Sequence, residues 1–267
     1  NQGPLSFSAN GKQVIFTRNN FVDGTRLLET SGMELNLFTA DISNEGVWTG
    51  VKPFQHNISG YSTGFPSLSP DGQKLFFASN RPDGYGGYDI YVSYKVGEIW
   101  TLPENLGPVV NSPGNEISPF YEGNNLYFSS DWHHGLGGYD VFKARMNNNR
   151  WAEITNEGPG INSSYDDYGF IIDAAGNKGY LCSNRPGSRG GDDVFRFQGN
   201  RSDVVISVKN AADGNPLSEA EIDFGACGNG TVKTDVYGMY RFKPVLGETC
   251  DLLIRKEGFL DVRLSLN

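Results

Sequence analysis

Leu68-Ser69-Pro70-Asp71-Gly72, leading through Leu75-Phe76-Phe77-Ala78-Ser79-Asn80 to Gly86-Gly87-Tyr88-Asp89-Ile90-Tyr91, decides the fold because the chain writes it again. The pattern returns as Leu126-Tyr127-Phe128-Ser129-Ser130-Asp131 with Gly137-Gly138-Tyr139-Asp140-Val141-Phe142. It returns once more as Gly179-Tyr180-Leu181-Cys182-Ser183-Asn184 with Gly190-Gly191-Asp192-Asp193-Val194-Phe195. The Asp of the Gly-Gly phrase recurs after 51 and then 53 residues. A period of that size, made only of strand and turn signals, predicts the blades of a β-propeller. Such an array is suited to holding a partner rather than to reacting with one.

Each unit reads as four strands. In residues 66–111 a short strand runs into the turn Pro70-Asp71-Gly72, where Pro fixes φ and Gly accepts the left-handed position. Lys74 to Ser79 is a strong strand, and a loop then closes on Gly86-Gly87 before the alternating strand Tyr88 to Tyr94. Ile99-Trp100 marks the fourth strand, which Leu102-Pro103 ends. Trp48, Trp100 and Trp151 fall at the same place in successive units, which predicts an outer-strand Trp packed between neighbouring blades.

The first unit is divergent: Phe7-Ser8-Ala9-Asn10-Gly11 stands for Leu68 to Gly72, and its loop from Asn19 to Glu34 is longer. The last unit stops at Phe197 without a Trp-bearing fourth strand. Four blades are thus visible within residues 1–198, and a ring must close to remove its edges. Closure is expected from sequence N-terminal to Asn1, which opens in mid-pattern as an excised fragment would. From Asp203 the period breaks. Val204 to Val208, Ala220 to Phe224, Tyr240-Arg241-Phe242 and Leu252-Leu253-Ile254 are short strands with turn signals between them, so residues 203–267 read as a small β-sandwich. The fold class is therefore all-β, a propeller followed by a sandwich, joined by the short linker Gln198 to Ser202.

Composition agrees and narrows the function. Aromatics at 13% and 35 glycines suit pleated surfaces and tight turns. A net charge of −9 argues against nucleic acid as a partner and gives no electrostatic reason to sit on anionic lipid. No apolar run approaches the roughly 20 residues that span a bilayer as a helix, so no direct membrane span is expected. Cys227 and Cys250 are candidates for a disulfide, which would suit an oxidising compartment, whereas Cys182 reads as a small core hydrophobe.

These phrases carry a resemblance. Residues 65–197 resemble the WD-like repeats of TolB-type propellers, with Ser-Pro-Asp-Gly, a Leu-Tyr-Phe-Ser-Ser strand, Asn-Arg and Gly-Gly-Asp-Ile-Tyr. Residues 203–267 resemble the carboxypeptidase regulatory-like domain in Val204-Val205-Ile206, Pro216-Leu217, Ala220-Glu221-Ile222, Thr234-Asp235-Val236-Tyr237-Gly238-Met239-Tyr240-Arg241-Phe242 and Lys256-Glu257-Gly258-Phe259. The domain order is similar to that of OmpA-family envelope proteins of the PorE type, found in the type IX secretion system. The resemblance implies a periplasmic, outer-membrane-associated, non-enzymatic scaffold whose partners are other envelope proteins. It also implies peptidoglycan as a partner through a module absent from this chain. No cofactor is implied.

Catalytic signals are poor. Gly60-Tyr61-Ser62-Thr63-Gly64 fits the Gly-x-Ser-x-Gly pattern, but it lies in a polar connector with no helix behind it to form an elbow. His133 and His134 are neighbours that would share a metal only from a loop, and a solvated pair is the expected reading. Asp166-Asp167 and Asp192-Asp193 are rich in oxygen but lack the spacing of a Ca²⁺ loop, so turn capping is expected. Asp89, Asp140 and Asp193 recur in every copy, which fits a turn duty better than a unique site. Recognition is expected instead from one loop that varies between copies. It reads Asn80-Arg81-Pro82-Asp83-Gly84-Tyr85, then Asp131-Trp132-His133-His134-Gly135-Leu136, then Asn184-Arg185-Pro186-Gly187-Ser188-Arg189. Equivalent loops share one rim, so Arg81, Tyr85, Trp132, His133, His134, Arg185 and Arg189 are the expected partner-binding residues, of the types that carry interface energy. The opposing reading bonds each Arg to a neighbouring blade. The alternative function is a peptide- or glycan-binding, or hydrolytic, propeller that uses its central funnel.

Overall fold

The computed structural model describes residues 2–19, 21–22, 25–26, 34–199, 204–225, 230–242 and 250–266. The chain is all-β and divides into two compact units, Asn1–Ala174 with Gly179–Phe197, and Ala175–Lys178 with Gln198–Asn267.

Four antiparallel sheets follow one another through the first unit. The first has the order β1 (Gln2–Phe7), β2 (Gln13–Asn19), β5 (Leu35–Ile42), β6 (Trp48–Pro53), with a small hairpin of β3 (Phe21–Val22) and β4 (Thr25–Arg26) between β2 and β5. The second runs β7 (Thr63–Leu68), β8 (Lys74–Ser79), β9 (Asp89–Val96), β10 (Ile99–Trp100), with β11 (Glu104–Asn105) also on β9. The third runs β12 (Glu116–Glu122), β13 (Asn125–Ser130), β14 (Asp140–Asn147), β15 (Arg150–Asn156). The fourth holds β16 (Asp167–Ile172), β17 (Lys178–Ser183) and β18 (Asp193–Gln198), with no outer strand among the described residues. Consecutive up-and-down meanders of this kind are the blades of a β-propeller.

The turn chemistry works as the sequence requires. Gly72 takes φ +68° in the β7–β8 turn, while Ser69 Oγ accepts the Lys74 N–H at 2.9 Å and Asp71 accepts the Gln73 N–H at 3.0 Å. Ser8, Asn10 and Gly11 repeat the arrangement in the first sheet. One boundary needs correction. Leu102-Pro103 interrupts the outer strand, since proline has no N–H to donate, but the chain returns to pair Glu104 with Val92 and Asn105 with Tyr91.

The sheets stack face on face. The second sheet's Leu75, Phe77 and Tyr91 pack against Ile15 and Leu37 of the first. Its other face, with Phe76, Ala78, Ile90 and Val92, meets Tyr121, Leu126, Phe128 and Phe142 of the third. Tyr127 and Val141 of the third in turn meet Phe170 of the fourth. The tryptophans behave as expected in two of three copies. Trp100 joins the cluster between the first and second sheets, and Trp151 stands edge-on to Phe76 of the sheet before it. Trp48 instead packs on Phe16 of its own sheet at 5.1 Å.

In the second unit, β19 (Val204–Ser207) pairs with β22 (Met239–Phe242). A second sheet has the order β21 (Thr231–Lys233), β20 (Glu221–Asp223), β23 (Cys250–Arg255), β24 (Val262–Leu266). Ile206 and Phe242 from the first sheet meet Ile222 and Leu252 from the second, with Phe224 beside them, in one core. The strands β21 and β24 add to those expected. The Cys227–Cys250 pairing lies outside the described residues. Cys182 is only half buried, in the outward row of β17, and burial pushes its thiol up.

Candidate partner-binding rim

The loops at one end of the blades are held by three repeated devices. The recurrent Asp closes each Gly-Gly turn: Asp89 accepts the N–H groups of Tyr85 (2.6 Å) and Gly86 (3.2 Å), and Asp140 those of Leu136 (2.8 Å) and Gly137 (2.9 Å). Asp193 does the same for Arg189 and Gly190.

The glycines then let the next blade approach. Gly87 N–H donates to Gly114 O at 2.7 Å, and a Cβ on Gly87 would stand 2.2 Å from Asn115 Oδ1. A Cβ on Gly138 would likewise stand 2.1 Å from Asp166 Oδ1.

The third device is absent from the sequence reading. Asn111 accepts the Ile90 N–H (2.8 Å) and donates to Ile90 O (2.9 Å), clamping the third strand of its blade. Asn162 does this to Val141 and Asn57 to Leu37. The signal was present in the recurrence of Asn57, Asn111 and Asn162 at intervals of 54 and 51 residues.

Against this frame the seven expected residues divide. Arg81 is only 6% exposed. Its Nε donates to Ser79 Oγ and its Nη2 to His56 O, both at 3.3 Å, and the guanidinium lies over the rings of Tyr91 (4.7 Å) and Phe77 (5.5 Å). Arg185 repeats the pose. It donates to Ser183 Oγ (3.0 Å), to Ile161 O and to the buried Asp167 carboxylate, over the ring of Phe195. Both guanidiniums are spent inside the propeller, which corrects their assignment to the partner.

The copy between them differs. Trp132 takes the Arg position, and His133 moves into the inner slot, with Nε2 3.0 Å from Val110 O and its ring against Phe128 and Phe142. Val110, like His56 and Ile161, immediately precedes the clamp asparagine, so His133 replaces the guanidinium contact. His133 is thus also withdrawn from the partner set. Glu116 completes this slot, fully buried, and accepts Ser112 N–H (2.8 Å), Ser112 Oγ and Ser130 Oγ (2.7 Å). Burial pushes its carboxyl above the usual range despite these donors.

What remains outside is mainly aromatic and apolar. Trp132 is 61% exposed, Tyr85 and Leu136 are about as open, and His134 and Arg189 are also exposed. Tyr165, not singled out by the sequence, joins them. The glycine contacts show their order. Gly86, next to Tyr85, abuts Gly114 O, Gly114 abuts Trp132, and Gly137, next to Leu136, abuts Tyr165 O. Tyr85, Trp132, Leu136 and Tyr165 therefore form a line across the rims of the second, third and fourth blades. Tyr139 below them is pushed up to about 12 by burial and by the Asp131 and Asp166 carboxylates, so it stays an uncharged phenol.

The remaining chemistry is structural. Ser62 of the Gly-x-Ser-x-Gly phrase is buried, accepts the Leu35 N–H at 3.1 Å and runs directly into β7. Asp166 accepts Tyr139 N–H and Asn184 Nδ2, and Asp167 accepts Ser163 and Arg185. Among the described residues no group of three or more His, Cys, Asp or Glu is placed to hold a metal ion.

No known family profile matches the chain, and no curated protein does. Solved structures similar to it include a putative TolB from Agrobacterium tumefaciens, with 13% identity and a TM-score of 0.47, covering 91% of this chain and 64% of that one. A prolyl endopeptidase gives 18% identity and a TM-score of 0.46, with coverages of 96% and 31%. Prolyl oligopeptidase B from Galerina marginata gives 10% and 0.44, with coverages of 98% and 38%. The chain spans less than two thirds of the length of each.

Proposed function

We propose that this chain is a non-enzymatic protein-binding scaffold of the bacterial cell envelope, and that it meets its partner along the line Tyr85, Trp132, Leu136 and Tyr165. The observation that carries this reading is the exchange at Trp132. In the second and fourth blades the position holds an Arg used for internal bonding, while in the third the internal duty passes to His133 and an indole is left in solvent. Exposed aromatics on a rigid frame are the usual anchors of interfaces. The exposed Arg189 of the fourth-blade loop adds a cation beside the line, against a chain of net charge −9.

The setting follows from the residue patterns of both units. The repeat phrases and the regulatory-like phrases together resemble OmpA-family envelope proteins of the PorE type, which argues for a periplasmic, outer-membrane-associated place and a role in a secretion or peptidoglycan-anchoring assembly. The two-sheet core of the second unit and its Asp235–Gly238 turn, where Asp235 accepts the Tyr237 and Met239 N–H groups, support the regulatory-like reading. The duties found for Ser62, Asp166 and Asp167 support a binding rather than a hydrolytic role. The test is a pull-down from envelope extract with the intact chain beside a Tyr85/Trp132/Leu136 triple-Ala version. The reading expects one stoichiometric protein retained only by the intact chain. Equal retention by both sinks it.

A further inference from the structure

The junction between the first and second blades is open where the next junction is filled. Between the second and third blades, Phe76 stacks on Tyr121 at 4.8 Å, Trp151 stands edge-on to Phe76 at 6.3 Å, and Tyr94 packs against the same cluster. The strand registers place Ile15, Asp41 and Leu68 at the corresponding positions one junction earlier, while Trp100 keeps the place of Trp151. Aliphatic side chains and a carboxylate thus stand where the next junction holds rings, and a cleft of about 470 Å³ is left. That volume falls within the range of small-molecule sites, about 300–1,000 Å³. The cleft lies at the end of the blades away from the rim, and Gln13, Asp41, Lys52, Lys95 and Trp100 are among the residues that line it.

Its walls are held in place. Trp100 O accepts Gln55 Nε2 at 2.7 Å and lies 2.9 Å from His56 Nε2, so the first blade fixes the strand that carries the indole. Trp100 is half-buried, and Lys95 Nζ stands 6.0 Å from the centre of its ring. On the first-blade side, Gln13 Nε2 donates to Asp41 Oδ1 at 3.2 Å, which leaves Asp41 Oδ2 without a partner among the described residues. Neither Lys52 nor Lys95 forms an ion pair with a described residue.

We infer that this cleft is a binding site for a neutral oligosaccharide, with a pyranose ring seated on Trp100 and its hydroxyls on Asp41, Gln13 and the two lysines. The inference goes beyond the rim reading and does not rest on it, since the two surfaces share no residue. The chemistry of the lining selects the class. An anionic ligand would face Asp41, and a cationic one Lys52 and Lys95. A wholly apolar ligand would strip water from these groups and return no hydrogen bond. Sugar hydroxyls donate to a carboxylate and accept from an ammonium or an amide N–H. The C–H face of a pyranose carries slight positive charge and settles on the electron-rich face of an indole. A wall fixed beforehand lowers the ordering cost of binding.

Cellotetraose, maltotetraose and N-acetylchitotetraose, each titrated into the intact chain by calorimetry, are the probes, and they separate the sources by linkage and by the acetamido group. We expect saturable binding of at least one of them, with a shift in tryptophan emission. Trp100→Ala is expected to weaken it by about tenfold or more. Because Trp100 also packs into the core between the blades, a second variant keeps the indole. Asp41→Tyr writes the second blade's residue into the first at an exposed position and refills the cleft. It is expected to retain the unfolding midpoint and to lose binding by a similar factor. Absence of saturable binding to all three sugars would overturn the proposal, and so would a folded Asp41→Tyr chain that binds as tightly as the original.

Discussion

Arg81 and Trp132 hold the same place in successive blades and do opposite work. Removing the Arg81 side chain leaves His56 O and Ser79 Oγ without their donor and two rings without their cation. Arg81→Ala is therefore expected to cost about 2–4 kcal/mol in denaturant unfolding. Trp132→Ala, exposed and without internal duty, should change stability by no more than about 0.5 kcal/mol while weakening the partner at least tenfold. A large stability loss at Trp132 would contradict the division. Sequence alone could not make it, because Asn-Arg-Pro reads as a loop phrase whether the guanidinium points in or out. Only the ring of Tyr91 and the carbonyl of His56, 25 residues away, decide the direction. Asp89 and Asp140 were legible, since an Asp closing a turn acts on N–H groups only three or four residues away.

At the scale of elements, the asparagine clamp and the glycine seat carry the blade contacts. Asn162→Ala removes three side-chain bonds, two to Val141 and one to Asn156 Oδ1, and leaves the Val141 N–H buried without its acceptor, so about 2–3 kcal/mol of stability is expected to be lost. Gly138→Ala should also destabilise, because its Cβ meets Asp166 Oδ1, whereas Gly191→Ala should be neutral. Parallel unfolding curves check both, and equal losses for the two glycines would refute the difference. The strands themselves were readable from alternation and turn residues, β8 to the residue. The bulges of the inner strands were not. Phe65 and Ser118 take φ of 56° and 53° at equivalent places in the second and third blades, although neither residue type favours that region. Blade packing imposes them, and no local signal announces packing.

For the molecule as a whole, buried carboxyls set a pH dependence. Burial raises Glu116 and Glu157 above the usual carboxylate range. The folded chain then holds protons that the unfolded chain has released, so stability falls as pH climbs from that range through the raised values. Unfolding free energy should accordingly decrease as pH rises above the usual carboxylate range, and Glu116→Gln should flatten the decline. A decline equally steep in Glu116→Gln would remove Glu116 from the account.

The same frame that hides these groups leaves one rim dressed with aromatics, and the scaffold reading turns on that rim. A photo-crosslinking residue placed at His134, on the rim, and another at Glu98, in the β9–β10 turn at the opposite end of the blades, test it most directly in living cells. The account predicts one envelope protein joined to position 134 and none to position 98, with the crosslink lost on Trp132→Ala. Crosslinking from position 98, or persistence without Trp132, would contradict it.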